Sequence, residues 1–448
     1  MSWLALAGIT VAGPLRILTG FLVCSVGRQH ATPELGLVLT SVIDVVGIGD
    51  DGWAGLDERR RGLVGDAATL IGGQRHLDLV AEHAPAAELV PWPSPLRPAL
   101  PALVRAKGDA VVLASGDPLR SGIATTLIDL LGPEQVRVHP AVGSDTLARA
   151  RQGWSAEETT VVTTVGRDLR AVLPHLATGA RLVVLCSDGS DPQRLATLLV
   201  DHGWGATTLT ARWHLGGPGE GARAERADHF TGRTADLVVV CLEARADDPG
   251  ARAATAGPVP GRPEDFISHD GQLTKRDVRA SGLARLRPTP GAHLWDLGAG
   301  NGSVALEWCL AVDRASATCI ERDPERAQRI RDNADALGLA GRVEVVVADT
   351  ATSDLAALAP ADAVFVGGGL QEDLLRRAWQ SLPPGGRLVA HAVTLEGESA
   401  LLTTHASTGG ELTRLSIERA VPLGRFHSWT PARTVVQLAA VKTGAPAP

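Results

Sequence analysis

The chain is poor in the residues that staple small proteins, grip nucleic acids or cross membranes. Tyrosine is absent, methionine occurs once and phenylalanine five times in 448 residues. With alanine, glycine and arginine abundant, that skew reflects a GC-rich genome more than any function. The five cysteines, Cys24, Cys186, Cys241, Cys309 and Cys319, are an odd number and form no C-x-x-C pair. Most sit in apolar runs, which fits buried free thiols in a reducing, cytoplasmic compartment and argues against disulfides or zinc. A cationic excess is missing as well. The formal charge is −7 and the pI about 6.0, where a nucleic-acid partner wants a basic face. One long apolar stretch exists, residues 3–26, but Pro14 and Arg16 interrupt it. No basic segment precedes it and no clear cleavage site follows, which argues against a spanning helix or signal peptide. There is no G-x-x-x-x-G-K-[ST] loop for ATP, no metal-ligand cluster and no Ser-His-Asp set.

What is present is glycine in a telling arrangement. His293-Leu294-Trp295-Asp296-Leu297 is a short apolar run with an acid near its end, followed by Gly298-Ala299-Gly300-Asn301-Gly302 and then Ser303-Val304-Ala305-Leu306. This reads as strand, tight turn, helix. The glycines let backbone approach a ligand at the carboxyl end of the strand, beside the helix N-terminus. A dinucleotide fingerprint would place its last glycine where Ser303 stands; here it falls one residue early, at Gly302. The next strand, Ala317–Ile320, ends at Glu321, roughly twenty residues past the glycines, where a carboxylate binds ribose hydroxyls. A third, Val343–Ala348, ends at Asp349, placed for an adenine amino group. Strand, G-x-G-x-G, acid, acid is the pattern of S-adenosylmethionine (SAM) enzymes; the alternative is a glycine-rich turn in another nucleotide-binding α/β domain. Asp296 would orient loop amides or the methionine amino group, or else cap the following helix.

The length allows two or three domains, each with a core. Ahead of the glycine loop, Ser41–Val46 is the first clear strand, leading into Gly47-Ile48-Gly49-Asp50-Asp51-Gly52. A helix is expected from the N-cap Asp57 to about Leu70, then an irregular Pro-rich loop from Pro91 to Pro101. Asp109–Ala114 is a strand that delivers Ser115-Gly116-Asp117-Pro118, and a helix Ile123–Leu131 and a strand Gln135–His139 follow. Further strands are expected near 159–165, 181–186 and 235–242, alternating with helices, which argues for α/β layers. Residues 246–262 read as a linker. The division expected is 1–40 as an extension without structure of its own, 41–245 as one domain and 263–448 as another. Later strands are expected at Asp362–Val366, Arg387–Thr394 and Thr434–Lys442.

Taken together, the chain resembles the bifunctional precorrin-6Y C(5,15)-methyltransferases (decarboxylating) of cobalamin biosynthesis. The first half resembles a tetrapyrrole methylase through Gly47-Ile48-Gly49, Gly73-Gln74-Arg75-His76-Leu77, Ser115-Gly116-Asp117-Pro118 with Gly122, Pro140–Asp145 and Leu215-Gly216-Gly217-Pro218-Gly219-Glu220. The second half resembles the decarboxylating methyltransferase through Asp270-Gly271-Gln272-Leu273-Thr274-Lys275, the glycine loop, Glu321-Arg322-Asp323-Pro324, Phe365-Val366-Gly367-Gly368-Gly369 and Ala392-Val393-Thr394-Leu395-Glu396. Asp50-Asp51 stands where many such methylases have Pro-Gly, and Ser144-Asp145 where a small pair is usual.

The resemblance implies a two-lobed tetrapyrrole methylase domain followed by a Rossmann-like class I SAM methyltransferase domain. It implies one SAM in each half and methyl transfer to carbons 5 and 15 of a polycarboxylate macrocycle. The carboxyl-terminal half would also expel carbon dioxide from the acetate on carbon 12, with no metal and no covalent nucleophile. SAM contacts would come from Gly47, Gly49, Ser115, Gly116 and Asp117 in the first half. In the second they would come from Thr274, Asp296, Gly298, Ala299, Gly300, Asn301, Gly302, Glu321, Ala348, Asp349 and Gly367. Asp117, His269 and Asp270 are candidate catalytic groups, the last two as proton carriers. Arg75, Lys275 and Arg276 could pair with substrate carboxylates. Blander readings are an Asx-turn for Asp117, an N-cap for Thr274 and solvation for His269. The expected partner is a small tetrapyrrole, with no nucleic acid and no membrane, and the chain is expected to form a homo-oligomer. Rival functions are a nicotinamide or flavin oxidoreductase, a SAM methyltransferase acting on RNA, and a SAM-binding regulator without activity.

Overall fold

The computed structural model describes residues 42–107, 109–248 and 257–444. The expected extension 1–40, the middle of the linker and Cys24 lie outside the described residues. Among those described, no helix is long and apolar enough to cross a membrane, and Cys186, Cys241, Cys309 and Cys319 are buried free thiols.

The first sheet holds β1 (Ile43–Ile48), β2 (Thr69–Gly72), β3 (Glu88–Pro91), β4 (Val111–Ser115) and β5 (Val136–His139) in the order β3-β2-β4-β1-β5. Every pairing is parallel. Its inner strands are therefore covered on both faces, and β1 reads Ile-Asp-Val-Val-Gly-Ile with hardly any polar alternation. The second sheet holds β6 (Thr159–Thr163), β7 (Arg181–Leu185), β8 (Thr208–Trp213), β9 (Gly221–Arg226) and β10 (Val238–Glu243) in the order β6-β7-β10-β8-β9. Only β6 and β7 run parallel. These two sheets are the two lobes of the amino-terminal half.

The third sheet comprises β11 (His293–Leu297), β12 (Ser316–Glu321), β13 (Val343–Val347), β14 (Ala363–Val366), β15 (Arg387–Ala392) and β16 (Glu411–Leu415). A separate two-stranded hairpin, β17 (Glu418–Leu423) with β18 (Phe426–Pro431), precedes the last strand, β19 (Val435–Val441). The order β13-β12-β11-β14-β15-β19-β16 puts β11 in the interior of the sheet, beside the middle strand β14. β19 runs antiparallel to both its neighbours. This is the Rossmann-like arrangement, with helices on both faces. Leu294, Ala305, Leu306 and Cys319 pack on one face of the sheet and Leu297, Val364, Leu388 and Leu438 on the other. Each fully buried leucine contributes about 1.5–3 kcal/mol of burial, so this core fixes the central strands that carry the glycine loop.

Two local expectations were wrong. The helix that begins at Asp57, whose carboxylate accepts Arg60 N–H, runs only over Glu58–Gly65; Thr69 and Leu70 belong to β2 and are buried there. The Pro91–Pro101 segment is not irregular throughout, because a helix spans Leu96–Ala106 with Pro101 inside it. Pro98 sits in the first turn, where no N–H is needed. Pro101 gives up one backbone bond, and burial of Leu100 and Val104 offsets the loss.

Candidate functional site

In the carboxyl-terminal half the connections leave β11 and β14 toward opposite sides of the sheet, so their carboxyl ends open the crevice where α/β sheets hold ligands. The loop after β11 is pinned from beneath. Gly298 and Ala299 N–H donate to Ile320 O at 2.9 and 3.1 Å, and Gly367 N–H, at the end of β14, donates to Leu297 O at 3.0 Å. Gly300 has φ +60°, a conformation that side chains with a Cβ avoid, and a Cβ there would lie 3.2 Å from Gln272 O. Its N–H donates to Glu321 Oε2 at 2.8 Å, and Asp323 N–H donates to Oε1 at 3.0 Å. Glu321 is thus held rigidly beside the loop at the end of β12, the place that its spacing predicts.

Asp296 is fully buried. Its Oδ2 accepts Ala305 N–H at 3.1 Å, in the first turn of the helix Ser303–Ala311, so the capping alternative has a real bond behind it. Its Oδ1 has no partner. Burial pushes the Asp296 carboxyl up to about 7; the Ala305 bond opposes this and the Glu321 charge adds to it. A raised folded value means that the native state holds this proton more tightly than the unfolded chain. The associated stability is fully present below the ordinary value of 3.8 and is lost as pH rises through about 7. We expect Asp296→Asn to remove that loss, so that the variant gains stability relative to the unaltered chain between about pH 4 and pH 7. Urea midpoints measured at a series of pH values check this; parallel curves for the two proteins would contradict it.

The stretch 268–275 covers the loop. Asp270 accepts Asn301 Nδ2–H at 2.8 Å and Gln272 N–H at 3.0 Å on one oxygen, and Arg326 Nε–H at 2.7 Å on the other. The Asn301 bond, then the Arg326 bond, hold its carboxyl well below the usual range. A carboxylate so engaged is a clamp, and this argues against the proton-carrying part expected of Asp270. Asn301 is likewise spent on its surroundings: Nδ2 also donates to Gln272 O at 2.7 Å, and Oδ1 accepts from Arg329 at 2.9 Å. Its carbonyl oxygen accepts from Asn333 Nδ2 at 3.3 Å, so only its backbone N–H is left for a ligand. His269 Nδ1 accepts Gly271 N–H at 3.0 Å. Thr274 is not the cap of the helix Arg276–Leu286, since Lys275 occupies that position. Lys275 and Arg276 are exposed. Ala348 N–H donates to Glu321 O at 3.1 Å, which brings the end of β13 to the crevice. Asp349 Oδ1 accepts Ala351 N–H at 2.8 Å, a turn-capping bond.

The amino-terminal half has its own site, a cavity of about 440 Å³ between the two lobes. Gly47 lies at the end of β1, where a Cβ would sit 2.1 Å from Gly116 O and 2.6 Å from Ala141 N. Glycine is required there because three loops meet with no room for a side chain. Gly49, Ser115, Gly116 and Asp117 all line the cavity, as do Arg75 and His76. Asp117 Oδ1 accepts Leu119 N–H at 2.9 Å, the Asx-turn of the blander reading. The two acidic departures from the family pattern both face this site. Asp50 accepts from Arg75 at 3.2 Å and contacts His214 Nδ1, on the second lobe, at 3.0 Å. Asp145 is buried near Arg120, 3.4 Å away, and Arg149, 3.7 Å away. The sequence flagged Asp50 and Asp145 as departures but gave no sign of their partners.

A family model described as tetrapyrrole (corrin/porphyrin) methylases matches residues 42–220, and one described as a precorrin methyltransferase domain matches residues 265–442. A Sinorhizobium protein named precorrin-6Y C(5,15)-methyltransferase (decarboxylating) is 42% identical over 403 residues, 89% of this chain and 96% of that protein. The Mycobacterium tuberculosis (strain CDC 1551) protein of the same name is 39% identical over 408 residues, 90% of this chain and 100% of that one. A shorter Salmonella typhimurium protein, cobalt-precorrin-6B C(15)-methyltransferase (decarboxylating), is 31% identical over 175 residues, 38% of this chain and 89% of that one.

Proposed function

The chain belongs to the precorrin-6Y C(5,15)-methyltransferase (decarboxylating) family, and from that premise we propose that it methylates carbons 5 and 15 of precorrin-6Y and releases the carbon 12 acetate carboxyl as carbon dioxide. One observation carries the reading. A single chain holds two separate glycine-lined crevices, one at the switch point of the first sheet and one at that of the third. We assign carbon 5 to the amino-terminal cavity. Carbon 15 and decarboxylation go to the carboxyl-terminal site, since the shorter Salmonella relative is named for those two steps alone.

SAM fits what is there. The unpartnered, fully buried Asp296 Oδ1 is an acceptor that an α-ammonium group would satisfy. Glu321 stands where ribose hydroxyls would reach it, and at Gly300 the backbone comes so close to the covering stretch that a Cβ would press on Gln272 O. When bound, SAM supplies an electrophilic methyl group on a sulfonium. The protein's part is alignment of donor and acceptor carbons, the main source of rate in a direct displacement. The backbone of Gly298 to Gly302 with Asp296, Glu321, Ala348, Asp349, Gly367 and Thr274 would hold the donor in the second half. Gly47, Gly49, Ser115, Gly116 and Asp117 would hold it in the first. Lys275 and Arg276, exposed beside the loop, and Arg75 in the cavity would steer the substrate carboxylates. His269 remains the candidate proton carrier of the second site. The test is mass analysis of the tetrapyrrole formed from precorrin-6Y and methyl-labelled SAM. Gain of two labelled methyls with loss of carbon dioxide is expected; a tetrapyrrole without label would refute the reading.

We assign this enzyme to the cytoplasm and to a homo-oligomer, the latter on the β17–β18 hairpin. All of its residues are exposed, including Leu423, Phe426 and Trp429 at 63–68%. A lone two-stranded ribbon with two open edges is marginal in water, so a second copy is its natural cover. Phe426→Ser with Trp429→Ser should give a smaller species by light scattering; an unchanged mass would count against this interface.

A further inference from the structure

Behind Ser115 in the amino-terminal cavity stands a histidine, His76, that has no part in holding SAM or the substrate carboxylates. Ser115, at the end of β4, is exposed to the cavity, and its Oγ lies 2.8 Å from His76 Nε2. The same nitrogen lies 2.8 Å from Arg75 Nη2. A guanidinium can only donate, so Nε2 presents its lone pair and the ring proton is on Nδ1. Nδ1 is enclosed without a partner. A proton can therefore join or leave this imidazole only through Nε2, on the side of Ser115.

We propose that Ser115, backed by His76, accepts the proton that the macrocycle gives up when carbon 5 is methylated. This deepens the assignment of the cavity to carbon 5 and rests on it. The need follows from atom balance. The electron pair of the enamine-like carbon forms the new C–CH₃ bond while the CH₃–S bond breaks, its pair staying on sulfur. Carbon 5 then bears both the methyl and its original hydrogen, and the macrocycle has gained a positive charge. The charge is discharged when the C–H pair returns to the ring system and the proton passes to Ser115 Oγ. The hydroxyl proton of Ser115 moves at the same time to His76 Nε2 and reaches solvent after product leaves. In sum, a methyl replaces a proton, and thioether and one proton are released.

The surroundings suit that task. Burial, then the neighbouring Arg75 charge, pull the His76 imidazole down to about 4, so it is unprotonated and ready throughout the neutral range. A weak base suffices, because the methylated cation is a strong carbon acid. Nε2 has one lone pair, so when it takes the proton it gives up the Arg75 Nη2–H bond, and Arg75 stays held by Asp50 at 3.2 Å. The other acids of the cavity are engaged: Asp50 with Arg75 and His214, Asp145 with Arg120 and Arg149, and Asp117 through Oδ1 with Leu119 N–H. Ser115 is the group that touches substrate, and His76 acts through it.

The experiment uses the full chain with precorrin-6Y and SAM, reading methylation at carbons 5 and 15 separately. Ser115→Ala, His76→Ala and His76→Asn should each slow carbon 5 methylation by about a hundredfold or more, the usual worth of a positioned base. Carbon 15 methylation should stay unchanged in all three, and SAM binding by calorimetry should stay unchanged in the two His76 variants. Imidazole added to His76→Ala should restore the carbon 5 rate, and more basic azoles should restore it further. A carbon 5 rate within about threefold of the unaltered enzyme, or a loss that no azole rescues, overturns the proposal. So does a loss found in Asp117→Asn but not in His76→Asn. Gly47→Val tests the underlying assignment separately: if it leaves carbon 5 methylation intact, the cavity is not the carbon 5 site, whatever the His76 variants do.

Discussion

Gly300→Val is expected to abolish methylation at carbon 15 and decarboxylation together, while carbon 5 is methylated at the rate of the unaltered chain. The backbone at Gly300 has φ +60°. A β-branched residue there costs about 1–2 kcal/mol in backbone strain alone, and its Cβ would press on Gln272 O from 3.2 Å. The loop relieves both by moving. In doing so it gives up the Gly300 N–H bond to Glu321, which fixes the carboxylate meant for ribose. Misplacement by about 1 Å is worth on the order of a hundredfold in a displacement governed by alignment. The amino-terminal cavity has its own loops at Gly47 and Gly116, so carbon 5 is the internal control. Decarboxylation is the informative readout: its survival without methylation would mean that the site cradles the macrocycle independently of SAM. Mass spectrometry of the product, with circular dichroism to establish folding, decides the matter. Methylation at both carbons would remove this loop from consideration as the second SAM site.

The largest effect on stability is expected from Arg279→Met. Arg279 and Glu307 are both fully buried, with Nε 2.8 Å from Oε2. Arg279 also donates to Thr274 O at 2.7 Å and to Arg262 O. Glu307 Oε1 accepts the N–H groups of Gly261 and Arg262. The pair thus ties the segment arriving from the linker, the stretch 268–275 and the helix Ser303–Ala311 into one unit behind the glycine loop. Removing the cation strips the buried carboxylate of its direct partner and leaves only Arg262 Nη1, 3.8 Å away, as counter-charge, a loss of about 3–5 kcal/mol. In a unit of this size that corresponds to a fall in midpoint of roughly ten degrees. Arg279→Met combined with Glu307→Leu should recover much of it, because the penalty is the poorly compensated charge and not the lost attraction. Calorimetric unfolding of the three proteins checks both points, and a loss below about 1 kcal/mol in the single variant, the value of an exposed pair, would contradict them.

Much of the two sites was legible along the chain because the signals are local. A glycine every second residue after an apolar strand, and an acid at the end of each of the next two strands, state their geometry within a few residues. The structure has Glu321 bonded to the very loop that its spacing pointed to. Capping was equally readable at Asp57, which accepts the Arg60 amide as expected. Local signals misled where distant burial outweighed them. Proline content argued for an irregular Pro91–Pro101, yet the apolar face carrying Leu100 and Val104 made a helix of its second part.

By itself the sequence determined the fold class, the family and the order of the glycine loops, since turn chemistry, strand patterning and motif order are properties of contiguous residues. It did not determine which charges are free to act. Asp270 looked like a proton carrier until Asn301, Arg326 and Arg329 converged on it from two other segments. Asp50 was only an unexpected acid until the second lobe brought His214 to its side. His76 was a letter in a motif until β4 set the Ser115 hydroxyl against its ring, and Asp296 has a raised carboxyl only because β11 is an interior strand of a covered sheet. The ionisation and partners of these groups depend on desolvation and on neighbours tens to hundreds of residues away, and only packing brings those neighbours within reach.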